Sequence, residues 1–122
     1  MEKDNMRKRL REYLKGFRDC QNQAKEIEKM LVGGGVPEML REPLRKTKKE
    51  FELQCQNVQL IIGYSREGLE RRILNAVYLF GKSMAQIAKE TGYSYGYCAN
   101  VELGAIKRLC ELENVALLLS GR

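Results

Sequence analysis

Three observations predict an all-α fold. An apolar seam of helical period runs from position 6 to position 31, a second runs from 44 to 62, and the stretch 84–107 reads as helix, tight turn, helix. The expected architecture is an N-terminal two-helix antiparallel hairpin, coiled-coil-like, over residues 1–62. A C-terminal three-helix unit with an extended last helix follows over 63–122.

The first helix carries Met6, Leu10, Tyr13, Phe17, Cys20, Ala24, Ile27 and Leu31 at unbroken steps of four and three, with charges on the other faces. Gly16 weakens its middle. Gly33, Gly34 and Gly35 end it, and Pro37 and Pro43 allow only short helical pieces nearby. The second helix is expected over 42–62, with Leu44, Thr47, Phe51, Gln54 or Cys55, Val58, and Ile61 or Ile62 as its seam. Two seams of similar length joined by a Gly-rich break predict an antiparallel pair. Each seam contains a Cys, polar or small residue, so the pair is expected to lean on a second copy or on the C-terminal half. This N-terminal half reads as an oligomerisation or interaction module.

The segment 63–68 is the expected domain boundary, with Ser65 as the cap of a helix over 66–80. Leu69, Ile73, Leu74, Val77 and Phe80 are its apolar positions, and Gly81 and Lys82 turn the chain into the next helix. Ser83 is an N-cap and Gln86 completes a capping box. Ile87 and Ala88 share one helix face, Gly92 takes the turn, Tyr93 is an apolar plug, and Ser94 caps the second helix. Cys98 and Val101 point that helix inward. Thr91 and Cys98 depart from the pattern, which usually has larger apolar residues there. Leu109, Leu112, Ala116 and Leu119 extend the stripe, predicting one long last helix that docks on the hairpin or on a partner chain.

A helix-turn-helix of this kind enters the DNA major groove with the N-terminal part of its second helix. The residues left for contact are Ser94, Tyr95, Gly96, Tyr97, Ala99 and Asn100, with Lys107 and Arg108 further along toward the phosphate backbone. Asn100 can pair with adenine N6 and N7, Tyr97 with a thymine methyl or a phosphate, and Ser94 with a phosphate oxygen. Gly96 and Gly104 each lower helix propensity by about 1 kcal/mol relative to Ala, and close approach to the groove is the compensation expected. Glu102 repels phosphate unless it accepts from a cytosine or pairs with a neighbour such as Lys107. The plainer reading of each of these residues is a solvated surface position.

At 122 residues with net charge +6, the chain is one small domain, or one with a helical extension, and favours a polyanionic partner. The excess is spread: residues 1–62 hold 14 Lys/Arg against 10 Asp/Glu, and residues 63–122 hold 8 against 6. Two basic clusters, Arg7-Lys8-Arg9 with Arg11 and Arg45-Lys46 with Lys48-Lys49, are either solvated helix faces or a track for DNA phosphate. Cys20, Cys55, Cys98 and Cys110 are far apart and there is no histidine, so no metal site is expected. No signal-like segment or long apolar run is present, and the expectation is a reduced, cytoplasmic protein with no membrane partner. Neither a phosphate-binding loop nor a nucleophile arrangement occurs. The expectation is therefore a protein that is not an enzyme, has no cofactor and takes no small-molecule substrate.

From 71 to 112 the chain resembles the fourth region of bacterial sigma factors. It is closer still to phage-encoded late-gene transcriptional regulators of the RinA and ArpU type. The resemblance rests on Ile73-Leu74, Tyr78-Leu79, Gly81-Lys82-Ser83, Ile87-Ala88, Gly92-Tyr93-Ser94-Tyr95, Ala105 and Lys107-Arg108-Leu109. It implies a phage or prophage protein that binds promoter DNA and activates transcription, with double-stranded DNA as partner, RNA polymerase as a further one, and a homodimer as the working form. It departs at 99–104, where those families often carry Arg, His or Lys and this chain has Ala99, Asn100, Glu102, Leu103 and Gly104. Two alternatives stand beside this reading. One is a phage small terminase subunit recognising DNA for packaging; the other is a helical interaction protein contacting RNA polymerase.

Overall fold

The computed structural model describes residues 2–120, and among these seven α-helices follow one another in sequence. They are α1 (Glu2–Lys15), α2 (Phe17–Gly33), α3 (Glu38–Gly63), α4 (Leu69–Leu74), α5 (Met84–Thr91), α6 (Tyr95–Leu109) and α7 (Glu113–Leu119). A π-helical turn over Asn75–Leu79 continues α4, and no strand occurs among the described residues. No helix among them is long and apolar enough to cross a membrane.

The first expected helix is two. At Gly16 the helical ladder is interrupted: the Gly16 N–H reaches back only to the Tyr13 carbonyl (3.2 Å), and Gln54 Nε2 donates to the same oxygen at 3.3 Å. A side chain inserted into the ladder is a recognised cause of a helix break. A Cβ at position 16 would lie 2.7 Å from Gln54 Nε2, so glycine is what lets Gln54 approach.

α1 and α2 together run antiparallel to α3. As the partner on α3 moves forward, the partner on α1–α2 moves back: Arg41 pairs with Leu31, Lys48 with Glu28, Cys55 with Phe17, and Asn57 with Tyr13. The connection is Gly34 in the left-handed region (φ 76°) followed by Pro37 as the residue preceding α3. α3 starts at Glu38, earlier than the expected position 42, and carries Pro43 inside its second turn. Proline there removes the partner of the Met39 carbonyl, and Met39 is 82% exposed, so water can take that role.

One apolar core spans the turn at 63–68. Leu10, Leu14 and Phe17 meet Val58, Ile61 and Ile62, and these meet Leu74, Tyr78, Ala105, Ile106, Leu109, Val115 and Leu119. A smaller cluster of Ile73, Ile87 and Cys98, flanked by Leu69, Met84, Ala88 and Val101, joins α4, α5 and α6. Val77 packs against both clusters, so the α4–α6 unit is set on the N-terminal helices rather than separated from them. The far end of α2 and α3 is thin: Met30, Val32, Met39 and Leu40 are exposed there.

Three further elements differ from expectation. The last helix is not continuous, because Glu111 and Leu112 N–H groups bond three residues back and Leu112 adopts an extended conformation before α7. The apolar stripe continues, but α7 turns back so that Val115 and Leu119 enter the main core. Ser65 is buried and its hydroxyl donates to the Ile62 carbonyl at 2.5 Å, closing α3 rather than capping α4. The helix predicted over 66–80 begins only at Leu69, after Gly68 with φ 96°, and widens into the π-turn that aims Tyr78 at the core and leaves Phe80 outside.

Candidate nucleic-acid interface

Local capping builds the turn between α5 and α6. Ser83 Oγ accepts the Gln86 N–H and Ser94 Oγ accepts the Tyr97 N–H, each at 3.1 Å. Gln86 does not reciprocate in a capping box; its amide donates to Glu90 Oε2 at 3.3 Å. Gly92 takes φ 82° and its N–H bonds the Ala88 carbonyl, ending α5. The two residues that depart from the usual pattern are partners of one another. Thr91 Oγ1 lies 3.6 Å from Cys98 Sγ, donates to the Ile87 carbonyl at 2.9 Å and accepts the Tyr93 N–H at 3.3 Å. A hydroxyl and a small thiol thus stitch the turn where two large apolar side chains are usual.

Tyr93 is not the expected plug. It is 50% exposed, and its ring stacks on Tyr97 with centroids 5.0 Å apart and an interplanar angle of 31°. With Tyr95 and Tyr97 also exposed, three tyrosines flank Ser94 at the start of α6.

The inward stripe of α6 is Cys98, Glu102, Ala105, Ile106 and Leu109, with Val101 half-buried. The opposite face carries Gly96, Asn100, Gly104 and Lys107, all exposed, with Tyr97 at its edge and Leu103 half-buried. A Cβ added at Gly96 or Gly104 would meet nothing within 4 Å, so packing within the chain does not demand glycine at either position. Of the residues expected at an interface, Ser94, Tyr95, Gly96, Tyr97, Asn100 and Lys107 are exposed and Ala99 is half-buried. Arg108 lies apart from them: half-buried, its guanidinium is ion-paired with Glu70.

Glu102 has a role that the local sequence does not display. It is 7% exposed. Arg11 of α1 donates from Nη2 to Oε1 at 2.5 Å and from Nε to Oε2 at 3.3 Å, and the Tyr78 hydroxyl donates to Oε2 at 2.6 Å. Both carboxylate oxygens are therefore occupied inside the molecule. Burial first, and then the Glu102 carboxylate, push the Tyr78 phenol well above its ordinary range, and the bond to Glu102 raises Arg11. The position of Glu102, four residues after Cys98 on the inward stripe, is the signal that places it inside. Nothing local marks Arg11, which is 91 residues away.

The N-terminal basic cluster is likewise turned inward in part. Arg9 Nη2 donates to the Leu119 carbonyl at 3.0 Å at the end of α7, Arg11 holds Glu102, and half-buried Arg7 pairs with Asp4 and lies against Cys110. Lys8 and Arg9 are the exposed members of the four, Arg9 with only its guanidinium tip engaged. In the second cluster Arg45 pairs with Glu42, and Lys48 with Glu28 and Glu52, while Lys46 and Lys49 are exposed. Arg71, another cation of the C-terminal half, donates to the Gly63 carbonyl at 2.8 Å and to the Ser65 carbonyl, tying α4 to the end of α3.

Compared with protein-family models, curated proteins and solved structures, the chain gives no match.

Proposed function

We propose that this protein is a sequence-specific DNA-binding transcription regulator, a late-gene activator of a phage or prophage. In this reading α1–α3 form an N-terminal hairpin, α4–α6 form a sigma-like three-helix unit, α5 and α6 are its helix-turn-helix, and α6 is the recognition helix. The observation that carries it is the division of α6 into two faces. One face is locked into the core through Cys98, Ala105 and Leu109, and the other presents Tyr97, Asn100 and Lys107 to solvent from a doubly capped turn. The withdrawal of Glu102 supports it further, since the one carboxylate in the middle of α6 is removed from the phosphate backbone.

The working form is a cytoplasmic homodimer on promoter DNA, with RNA polymerase as a further partner. An unpartnered stripe on the outer face of α3 supports a second copy: Met39, Leu53 and Leu60 fall at multiples of seven and Tyr64 follows, all exposed. Sedimentation of the purified chain tests the dimer. Retention by duplex DNA tests the function, with binding strong at about 50 mM salt and falling linearly in log-log form as salt rises. Absence of salt-dependent binding refutes it.

A second reading, a helical interaction protein that contacts RNA polymerase rather than DNA, is favoured by one observation. Arg11 and Arg108 are held by carboxylates within the chain and Arg71 by backbone carbonyls, so these three cations are turned away from a polyanion. Binding to polymerase with none to DNA would establish it.

A further inference from the structure

Resting on the reading of α6 as a recognition helix, we infer that the base pairs it reads are A·T, through Asn100 to adenine and through apolar carbon to thymine methyl groups. The argument is one of elimination on the exposed face. Guanine is read in the major groove by a bidentate arginine or lysine, and cytosine by a carboxylate accepting from N4. The N-terminal half of α6 carries no Arg or Lys, and the tertiary structure withdraws its carboxylate and ties back two nearby arginines. Arg108 is turned to Glu70 and Arg71 to the end of α3. Glu102, the carboxylate in the middle of the helix, is enclosed by Arg11 and Tyr78.

Lys107 is exposed, but it sits seven residues beyond Asn100, about 10 Å further along the helix axis, where a recognition helix has left the base edges for the backbone. What remains at the tip is one amide, the Ser94 and tyrosine hydroxyls, which do not by themselves select a base, and carbon. Asn100 stands near the centre of the outward face, with Tyr97 and Leu103 on either side and Gly96 and Gly104 allowing close approach. An amide donates to adenine N7 and accepts from adenine N6, and a tyrosine ring or leucine side chain covers the 5-methyl of thymine.

The test uses the full chain. Bound duplexes are selected from a random pool at about 50 mM salt. The winning site is then remade with 7-deazaadenine, which lacks the N7 acceptor, or with deoxyuridine, which lacks the thymine methyl. The expected result is enrichment of half-sites centred on A·T pairs. A single 7-deazaadenine at the critical position is expected to weaken wild-type binding by about 5- to 150-fold, the range of one bidentate pair. It should leave Asn100→Ala binding unchanged, and deoxyuridine should weaken binding while leaving Asn100 dependence intact. Enrichment of half-sites centred on G·C overturns this inference while leaving the DNA-binding reading standing. Binding to duplex DNA without any enrichment overturns the inference and the claim of sequence specificity together. The losses on 7-deazaadenine and deoxyuridine duplexes are read with the wild-type chain, so they stand even where Asn100→Ala fails to fold.

Discussion

Replacing Arg11 with Met removes the cation from a carboxylate buried between three elements. Glu102 has a side chain only 9% exposed, and without Arg11 it keeps a single internal donor, the Tyr78 hydroxyl. Breaking one partner out of a buried ion pair costs about 3–5 kcal/mol because the other charge is left uncompensated. Arg11 itself is 35% exposed, so water reaches the site and screens part of that penalty. The expected loss is about 2 kcal/mol, read from urea unfolding followed by far-UV circular dichroism, or a fall in melting temperature of roughly 8 °C for a domain of this size. The double variant Arg11→Met with Glu102→Met removes both charges and should be more stable than the sum of the single losses predicts, with a coupling of about 1–2 kcal/mol. Strict additivity of the two changes, or an Arg11→Met variant within about 0.5 kcal/mol of wild type, would refute the claim that this pair fastens α1 to α6.

Tyr78→Phe bears on the same network through pH. Because the folded-state phenol titrates above its ordinary value of about 10, its contribution to stability is complete below that pH and is lost as pH rises through the elevated value. The stability difference between wild type and Tyr78→Phe should therefore shrink by about 1.4 kcal/mol per pH unit above 10, and a difference independent of pH up to 12 would contradict the buried phenol. Gly92→Ala forces a Cβ into the left-handed region at φ 82° and should cost about 1–2 kcal/mol in thermal unfolding, with Gly92→Asn costing less. Lys107→Ala should lower the salt slope of DNA binding by about 0.9, whereas Arg9→Ala, whose guanidinium holds the Leu119 carbonyl, should alter stability and leave the slope unchanged. Equal slope changes for the two variants would show that α1 tracks phosphate. The thiols of Cys20, Cys55 and Cys110 are raised chiefly by burial and should react with a thiol reagent far more slowly in the folded chain than in denaturant.

Much of the local structure can be read from neighbours in the chain. Ser83 and Ser94 cap helices because a hydroxyl beside a free helix N-terminus has N–H groups within reach, and Gly92 ends α5 because no other residue takes its φ as readily. Leu10, Phe17, Cys20, Ala24 and Ile27 of the expected seam are buried even though its helix breaks at Gly16, while Tyr13 is half-buried and Leu14 beside it enters the core instead. The break itself needs Gln54, and the fate of Tyr93 follows its ring contact with Tyr97 beside a turn held by Thr91 and Cys98. Cys110–Leu112 is similar: an apolar period runs through it without interruption, so periodicity alone predicts continuity, while the core at Val58 and Ile61 is reached only if α7 folds back.

Helix content, seams, caps and the α5–α6 turn follow from interactions within about four residues, whose geometry the backbone dictates before any long-range contact forms. The charges obey no such rule. A flexible arginine or glutamate can serve solvent, a partner or its own fold equally well, and the choice depends on what lies across the molecule. Packing α1 against α6 brought Arg11 to Glu102 and Arg9 to the end of α7, and it thereby turned much of an apparent basic surface into internal fastening. The same packing drew Glu102 inward and left Tyr97, Asn100 and Lys107 exposed on α6. Burying an unpaired carboxylate is too costly to persist, so the cation had to come from wherever the fold placed one.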